Sequence, residues 1–314
     1  MTGQTVVVAL GGNAAYPPHI RGTAQEQLDV MAALCDHLFG IIAAGHNLVL
    51  THGNGPVVGN ILFRMARTAK ELPPMPMDVC VSHSQGGMGY MFQQSFANVL
   101  VRRGVNRTVA SIVTQVEVDP ADAAFANPTK PVGRFFKREE AETMARETGW
   151  TFVEDSGRGY RRVVASPEPL RIVEIDAIRA FLGAGVIPIA IGGGGIPVGT
   201  RADGSFYGLP AVIDKDLTSA LLANSLHADR LMMFTGVERV MLDFGKPSQR
   251  PVDAMSTAEA RRYLAEGQFP PGSMGPKIEA ALRYLERGGR AVTITSIDRA
   301  ADALAGRAGT TITP

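Results

Sequence analysis

Three lysines in this lysine-poor chain are each placed where they could be aimed at an anion. Lys130 lies in Asn127-Pro128-Thr129-Lys130-Pro131-Val132-Gly133, between prolines that restrict its backbone. Lys215 is flanked by Asp214 and Asp216 directly after the apolar run Ala211-Val212-Ile213. Lys277 closes Gly272-Ser273-Met274-Gly275-Pro276-Lys277, at the start of a predicted helix. A charged triplet behind an apolar run is costly unless paired or used. A lysine at a helix start meets the positive end of the dipole, a penalty that a bound anion reverses. Glycine clusters point the same way, because they close three apolar runs that read as buried strands. Val6 to Leu10 ends in Gly11-Gly12-Asn13, and Leu48 to Leu50 ends in Thr51-His52-Gly53-Asn54-Gly55. Val186 to Ile191 ends in Gly192-Gly193-Gly194-Gly195. Glycine lets backbone N–H groups approach an anion closely, and a following helix adds its positive end.

Several such turns together with three lysines suit phosphoryl transfer, which depends on positioning and on neutralising charge over the moving group. A carboxylate-type nucleophile is already ionised at neutral pH, so no general base is needed. That agrees with the lack of a convincing Ser/His/Asp arrangement. His46, His52 and His83 have no metal-ligand spacing; His52 is the one expected nearest the site. No G-x-x-x-x-G-K-[ST] pattern is present, so a P-loop is not supported. Gly53-Asn54-Gly55-Pro56-Val57-Val58-Gly59 carries one residue too many for the dinucleotide fingerprint. With Asp78 as a ribose-binding acid, it keeps a nicotinamide-dependent oxidoreductase open as an alternative.

The elements that must hold these residues alternate between strand and helix. Thr23-x-x-Glu26 is a capping-box pattern, followed by Leu28, Met31, Leu34, Leu38 and Ile42 at helical spacing, with Gly45 as the stop. Leu62 to Ala66 and Met88 to Val101 read as helices and Thr108 to Val113 as a strand. After Asp214 come a helix, a strand at Leu231 to Thr235, a second capping box at Ser256-x-x-Glu259, and a late strand at Ala291 to Ile294. Such alternation favours an α/β sandwich with a mainly parallel sheet and helices on both faces. Residues 119–169 break it with many charges, a Thr129-Lys130-Pro131 turn and a short strand at Arg161 to Val164. They read as an inserted subdomain or lid, with Lys130 and Arg134 closing over an anionic substrate.

Bulk properties narrow the class without naming it. A chain of 314 residues can bury one large core, and a net charge of +1 gives no global pull toward nucleic acid or membrane. Cys35 and Cys80 are far apart and read as buried reduced thiols. The uncharged stretch 180–200 is broken by glycine and proline, making it a poor membrane span. The amino terminus enters Val6-Val7-Val8 without a signal-like segment, so the cytoplasm is expected.

Taken in order, the motifs resemble carbamate kinases, in the amino acid kinase superfamily. They are Leu10-Gly11-Gly12-Asn13-Ala14, His52-Gly53-Asn54-Gly55-Pro56, Met77-Asp78-Val79-Cys80 with Ser84-Gln85-Gly86, and Lys130-Pro131-Val132-Gly133. Asp155-Ser156-Gly157-Arg158-Gly159-Tyr160-Arg161-Arg162-Val163-Val164, Gly192 to Pro197, Ala211 to Leu217, Gly272 to Lys277 and Gly309-Thr310-Thr311 complete the series. The resemblance runs nearly end to end. It implies reversible phosphoryl transfer between ATP with carbamate and ADP with carbamoyl phosphate, with Mg²⁺, in a homodimer. It also implies an open αβα sandwich (residues 1–314) with a protruding subdomain (119–169). Residues 1–210 would mainly hold the acceptor and 211–314 the nucleotide. Carried over, Gly11, Gly12, Asn13, Gly53, Asn54 and Gly55 would cradle the phosphoryl group and carbamate. Lys130, Lys215 and Lys277 would stabilise charge, Asp214 would orient lysines, and Ser273 and Met274 would lie against the nucleotide. The chain departs from the family at Val57, where Gln is usual, and at Gly133-Arg134-Phe135-Phe136, where Gly-Pro-Phe-Tyr is usual. Those departures bear on acceptor choice, so a kinase of another small carboxylate or amino-acid-like acceptor stays in view, as does a binding protein of the same fold.

Overall fold

Every side chain from Val6 to Leu10 is fully buried, which requires cover on both faces of the strand that carries them. The computed structural model describes residues 3–155, 157–270 and 272–314; Ser156 of the Asp155–Val164 motif lies outside them. In it β1 (Thr5–Leu10) is an inner strand of an eight-stranded sheet with β2 (Asn47–His52), β3 (Val109–Ser111), β9 (Ile187–Ile189), β12 (Arg230–Phe234), β15 (Ala254–Ser256), β16 (Val292–Thr295) and β17 (Thr310–Thr313). The spatial order is β15-β17-β16-β12-β1-β2-β9-β3. All neighbours are parallel except β16 and β17.

Alternation along β1 divides the core into two layers. Val6, Val8 and Leu10 face a cluster built with α2 (Ala24–Ala43), α4 (Met77–Arg102) and α11 (Ala300–Leu304). Val7 and Ala9 face the opposite cluster, built with α7 (Ile175–Gly183), α8 (Lys215–Ser225), α9 (Thr257–Ala265) and α10 (Met274–Glu286). The expected αβα sandwich is therefore present. Both capping boxes form, at Thr23 with Glu26 and at Ser256 with Glu259. Gly45 follows α2 with φ +82, the left-handed turn for which glycine suits the stop.

A second sheet was not foreseen from the sequence: β4 (Gln115–Val118), β8 (Pro169–Ile172), β10 (Ile196–Thr200) and β11 (Phe206–Gly208), in the order β11-β10-β4-β8. Its strands are short and two begin beside glycine or proline, so periodicity had little to register. Between β4 and β8 the chain forms the short helix α5 (Ala123–Ala126) and a three-stranded sheet. That sheet joins β5 (Lys130–Phe136), β6 (Phe152–Glu154) and β7 (Tyr160–Val164), with α6 (Arg138–Thr148) against it. Lys130 opens strand β5 and does not sit in a turn, because its residue pairs with Val164 across the ladder. The small sheet docks on α3 (Gly55–Thr68) with backbone against backbone: a Cβ on Gly59 would lie 2.0 Å from the Gly133 Cα. A hairpin of β13 (Val240–Leu242) and β14 (Arg250–Val252) and the one-turn helix α1 (Gly12–Ala15) complete the fold. Among the described residues, no helix is long and apolar enough to cross a membrane.

Candidate active site

The turns leaving β1 and β2 meet at the carboxyl ends of the parallel strands, where open α/β sheets bind ligands. A cleft of about 550 Å³ opens there, walled by Gly11, Gly12, Asn13, Gly53, Asn54 and Gly55 on one side. Lys215, Lys277, Ser273 and Gly236 line the other side, and Lys130 and Arg161 reach in from the small sheet. The two glycine turns cross tightly: a Cβ on Gly53 would fall 2.8 Å from the Gly12 nitrogen and 3.1 Å from Lys215 Cδ. Only glycine allows that approach without displacing backbone. Asn54 is buried, and its Nδ2 donates to Ser84 Oγ at 2.8 Å. Gly193, at φ +71, leaves room for the Asn54 amide, which a Cβ there would meet at 2.2 Å.

The lysines converge through two carboxylates with separate tasks. Asp214 caps α8, accepting from the Asp216 nitrogen at 2.9 Å through Oδ1, and its Oδ2 accepts from Lys130 Nζ at 2.9 Å. Lys130 Nζ also donates to the Ile213 carbonyl at 3.3 Å. Asp216, 4% exposed, accepts from Lys215 through Oδ1 and from Lys277 Nζ at 2.8 Å through Oδ2. Asp214 thus orients one lysine, and the buried Asp216 holds the other two. Three ammonium groups face two carboxylates, which leaves excess positive charge for an anion.

Electrostatics follow that wiring. Burial favours the neutral form of Asp216, yet Lys215 and Lys277 outweigh it and hold the carboxyl well below the usual range. Asp214 is likewise lowered: Lys130 and Lys215 overcome burial and the repulsion of Asp216. Burial lowers the Lys215 pKa, assisted by Lys277 and opposed by the two aspartates. At Lys277 burial acts in the same direction, but Asp216 dominates and the pKa is raised.

Most residues singled out in the sequence come together here; a few do not. Met274 does not line the cleft, and its side chain packs against the α8–α10 side of the core. His52 is 1% exposed, stacks on Phe92 at 5.4 Å, and has a pKa pushed down to about 4 by burial. It supports the turn from beneath. Arg134 sits over the rings of Phe63 and Phe136 and pairs with Glu140, so it belongs to the small subdomain and not to the cleft. Val57 packs into the α2–α4 layer. Asp78 lies in the first turn of α4 against Gly208 and does not line the cleft, which removes the ribose-binding acid of the nicotinamide reading. Cys35 and Cys80 are both buried free thiols.

Sequence reasoning missed the distinct role of Asp216 and missed Arg161. Arg161 lines the cleft, pairs with Asp155 at 3.1 Å and donates to the Pro131 carbonyl at 3.2 Å, bracing the strand that carries Lys130. The charged triplet flagged Asp216, but adjacency alone does not tell which aspartate turns inward. The alternation of β7 could have singled out Arg161.

Comparison with known proteins gives one consistent picture. Residues 4–296 match the amino acid kinase family. The carbamate kinase-like protein YahI of Escherichia coli K12 is 47% identical over 312 residues, covering 98% of each chain. The carbamate kinase of Pyrococcus furiosus is 45% identical over 314 residues, covering 99% of this chain and 100% of that one. A structure of carbamate kinase from Giardia lamblia bound to AMP-PNP matches with a TM-score of 0.91 at 42% identity, covering 99% of each chain.

Proposed function

This chain belongs to the amino acid kinase family, and on that premise we propose that it is a carbamate kinase, interconverting ATP with carbamate and ADP with carbamoyl phosphate. The observation that carries the reading is the convergence of Lys130, Lys215 and Lys277, through two aspartates, on a glycine-walled cleft. It occurs in a chain similar over nearly its whole length to the carbamate kinase of Pyrococcus furiosus.

In the ATP-forming direction, a β-phosphate oxygen of ADP attacks phosphorus. The bond from phosphorus to the carbamoyl oxygen breaks, and its electron pair leaves with carbamate. Both nucleophile and leaving group are anions, so the residues are asked for charge and position and not for proton transfer. The turns at residues 11–12 and 54–55 offer backbone N–H groups to the moving phosphoryl group, while the Gly53 N–H is held by the Leu10 carbonyl at 2.9 Å. The three lysines neutralise charge along the axis, and a preorganised donor of this kind contributes roughly a hundredfold to a thousandfold in kcat. We assign residues 1–210 mainly to the acceptor and 211–314 mainly to the nucleotide, with Ser273 at the nucleotide side and residues 119–169 as the part that brings Lys130 over the cleft.

Mg²⁺ supplies charge neutralisation on the phosphates when it binds with nucleotide. Among the described residues no group of three or more His, Cys, Asp or Glu side chains could hold a metal. The carboxylate oxygens of Asp214 and Asp216 are each engaged with lysine or backbone N–H. That donor set fits an ion carried by phosphate oxygens and water, the usual mode for Mg²⁺ in phosphoryl transfer. A homodimer is part of the same reading; it is supported by the edge position of β3 and by Tyr90 and Val101 exposed on the adjoining α4. We place the reaction in the cytoplasm.

The test is phosphorus NMR of the purified chain with ADP, Mg²⁺ and carbamoyl phosphate. The carbamoyl phosphate signal should fall in step with a rise of the ATP γ-signal. Release of inorganic phosphate alone would contradict a kinase.

A further inference from the structure

The two arginines at the middle of β7 point to opposite sides of the small sheet, as consecutive residues of a strand must. Arg161 enters the catalytic cleft. Arg162 lines a separate cavity of about 200 Å³, wedged between the small subdomain and the body of the protein. Its guanidinium lies 3.7 Å from the centre of the Trp150 ring. Its Nη1 is buried without a hydrogen-bond partner, and among the described residues it forms no salt bridge. Burial pushes its pKa down to about 10, the Cys80 thiol being the one charge-bearing neighbour that opposes this. Stacking on an indole offsets part of the cost of burying a guanidinium, but it satisfies no N–H donor. Several other cationic side chains of the subdomain have acidic partners: Lys130 has Asp214, Arg134 has Glu140, Arg138 has Glu142, and Arg158 and Arg161 have Asp155.

Met77, Phe125, Trp150 and Pro210 give the same cavity an apolar lining, with Thr151 as a further polar side chain. A planar fork of donors and apolar rings and side chains in one cavity match a carboxylate with a short apolar body. We propose that this cavity is a second ligand site, distinct from the catalytic cleft, that takes a small organic carboxylate on Arg162 with its apolar part against Trp150 and Phe125. The site is wired to the reaction centre. Arg162 pairs with Val132 across the ladder, two residues from Lys130, and β7 runs on to Ala165, which bridges Ala211 three residues before Asp214. An occupant that shifts β7 acts on both partners of the Lys130–Asp214 pair.

Trp150 is the sole tryptophan of the chain, so its emission reports this site alone. The full chain is titrated with sodium butyrate, against sodium chloride at equal ionic strength. The emission should change saturably with butyrate, with half-saturation in the millimolar range. Arg162→Met should abolish the change, and Arg162→Lys, which keeps the charge without the fork, should weaken half-saturation by about tenfold or more. Lys277→Ala, placed in the other cleft, should leave the titration as it is in the wild type. A response that tracks chloride, or one that is lost in Lys277→Ala, overturns the proposal. So does equal half-saturation in Arg162→Lys, the variant that decides the matter if Arg162→Met does not fold. Saturation by inorganic phosphate and not by butyrate would overturn the assignment of an apolar-bodied carboxylate.

Discussion

Replacing Asp216 by Asn should damage this protein more than replacing any surface carboxylate, and should do so in a way that its own substrates partly repair. Asp216 is buried and receives both Lys215 and Lys277, each itself about one-tenth exposed at the side chain. The amide can accept from one lysine, but its NH₂ faces the other, so one buried ammonium loses its counter-charge. Removing one partner of a buried ion pair typically costs about 3–5 kcal/mol. For a chain of this size, that corresponds to a fall in melting temperature of about 5–8 °C. Activity should fall as well, by roughly a hundredfold in kcat, because both lysines lose their anchor. Lys277 owes its raised pKa to Asp216, so in the variant that pKa drops and the alkaline limb of the kcat–pH profile moves to lower pH. Saturating ADP brings negative charge to the same ammonium groups and should narrow the gap in melting temperature to the wild type. Calorimetry with and without ADP, together with rates of ATP formation across pH, measures all of this. A variant melting within about 2 °C of wild type, with an unmoved alkaline limb, would show that Asp216 does not hold the lysines.

Lys215→Ala and Lys277→Ala should each lower kcat for ATP formation by about a hundredfold or more; a folded variant with near-normal kcat would take that lysine out of the reaction. Gly59→Ala should separate the small subdomain from α3, since the added Cβ meets Gly133 backbone at 2.0 Å. A cost of about 1–3 kcal/mol and a drop in kcat with rising KM for carbamoyl phosphate are expected, and unchanged kinetics would argue that the docking of Lys130's strand is immaterial. His52 gives the protein an acid sensitivity of its own. Its folded pKa of about 4 lies below the model-peptide 6.5, so between those values the unfolded chain binds a proton that the native chain refuses. Stability therefore falls as pH drops through that window, by about 3 kcal/mol in all for this group. His52→Asn should flatten the pH dependence of denaturant midpoints over that range, and a parallel curve would refute the assignment.

The layers of the fold were legible because the strongest signals are local. Val6 to Leu10 announces a doubly covered strand, and both capping boxes fix helix starts to the residue. The lysines were legible for a different reason: Lys215 and Lys277 occupied positions where a free cation is unfavourable, and prolines flanking Lys130 restricted its backbone. What stayed hidden depends on contacts distant in sequence. The four-stranded second sheet joins strands as far apart as Val116 and Pro197, too short to carry a period of their own. The division of labour between Asp214 and Asp216 appears only once α8 is placed beside α10. Arg134 looked like a charge available to substrate, and its engagement by Phe63, Phe136 and Glu140 is a tertiary matter. Met274 shows the same limit, since a residue within the Gly272–Lys277 motif can still spend its side chain on the core.

The most direct test is the donor specificity of ATP synthesis. Purified protein with ADP and Mg²⁺ is given carbamoyl phosphate or acetyl phosphate at equal concentration, and initial ATP formation is read with luciferase. Carbamoyl phosphate should support sustained ATP formation, and acetyl phosphate should be the poorer donor, because a methyl group replaces the amino group in a cleft walled by polar backbone. No ATP above a protein-free control would contradict the kinase, and equal rates with the two donors would contradict carbamate as its acceptor.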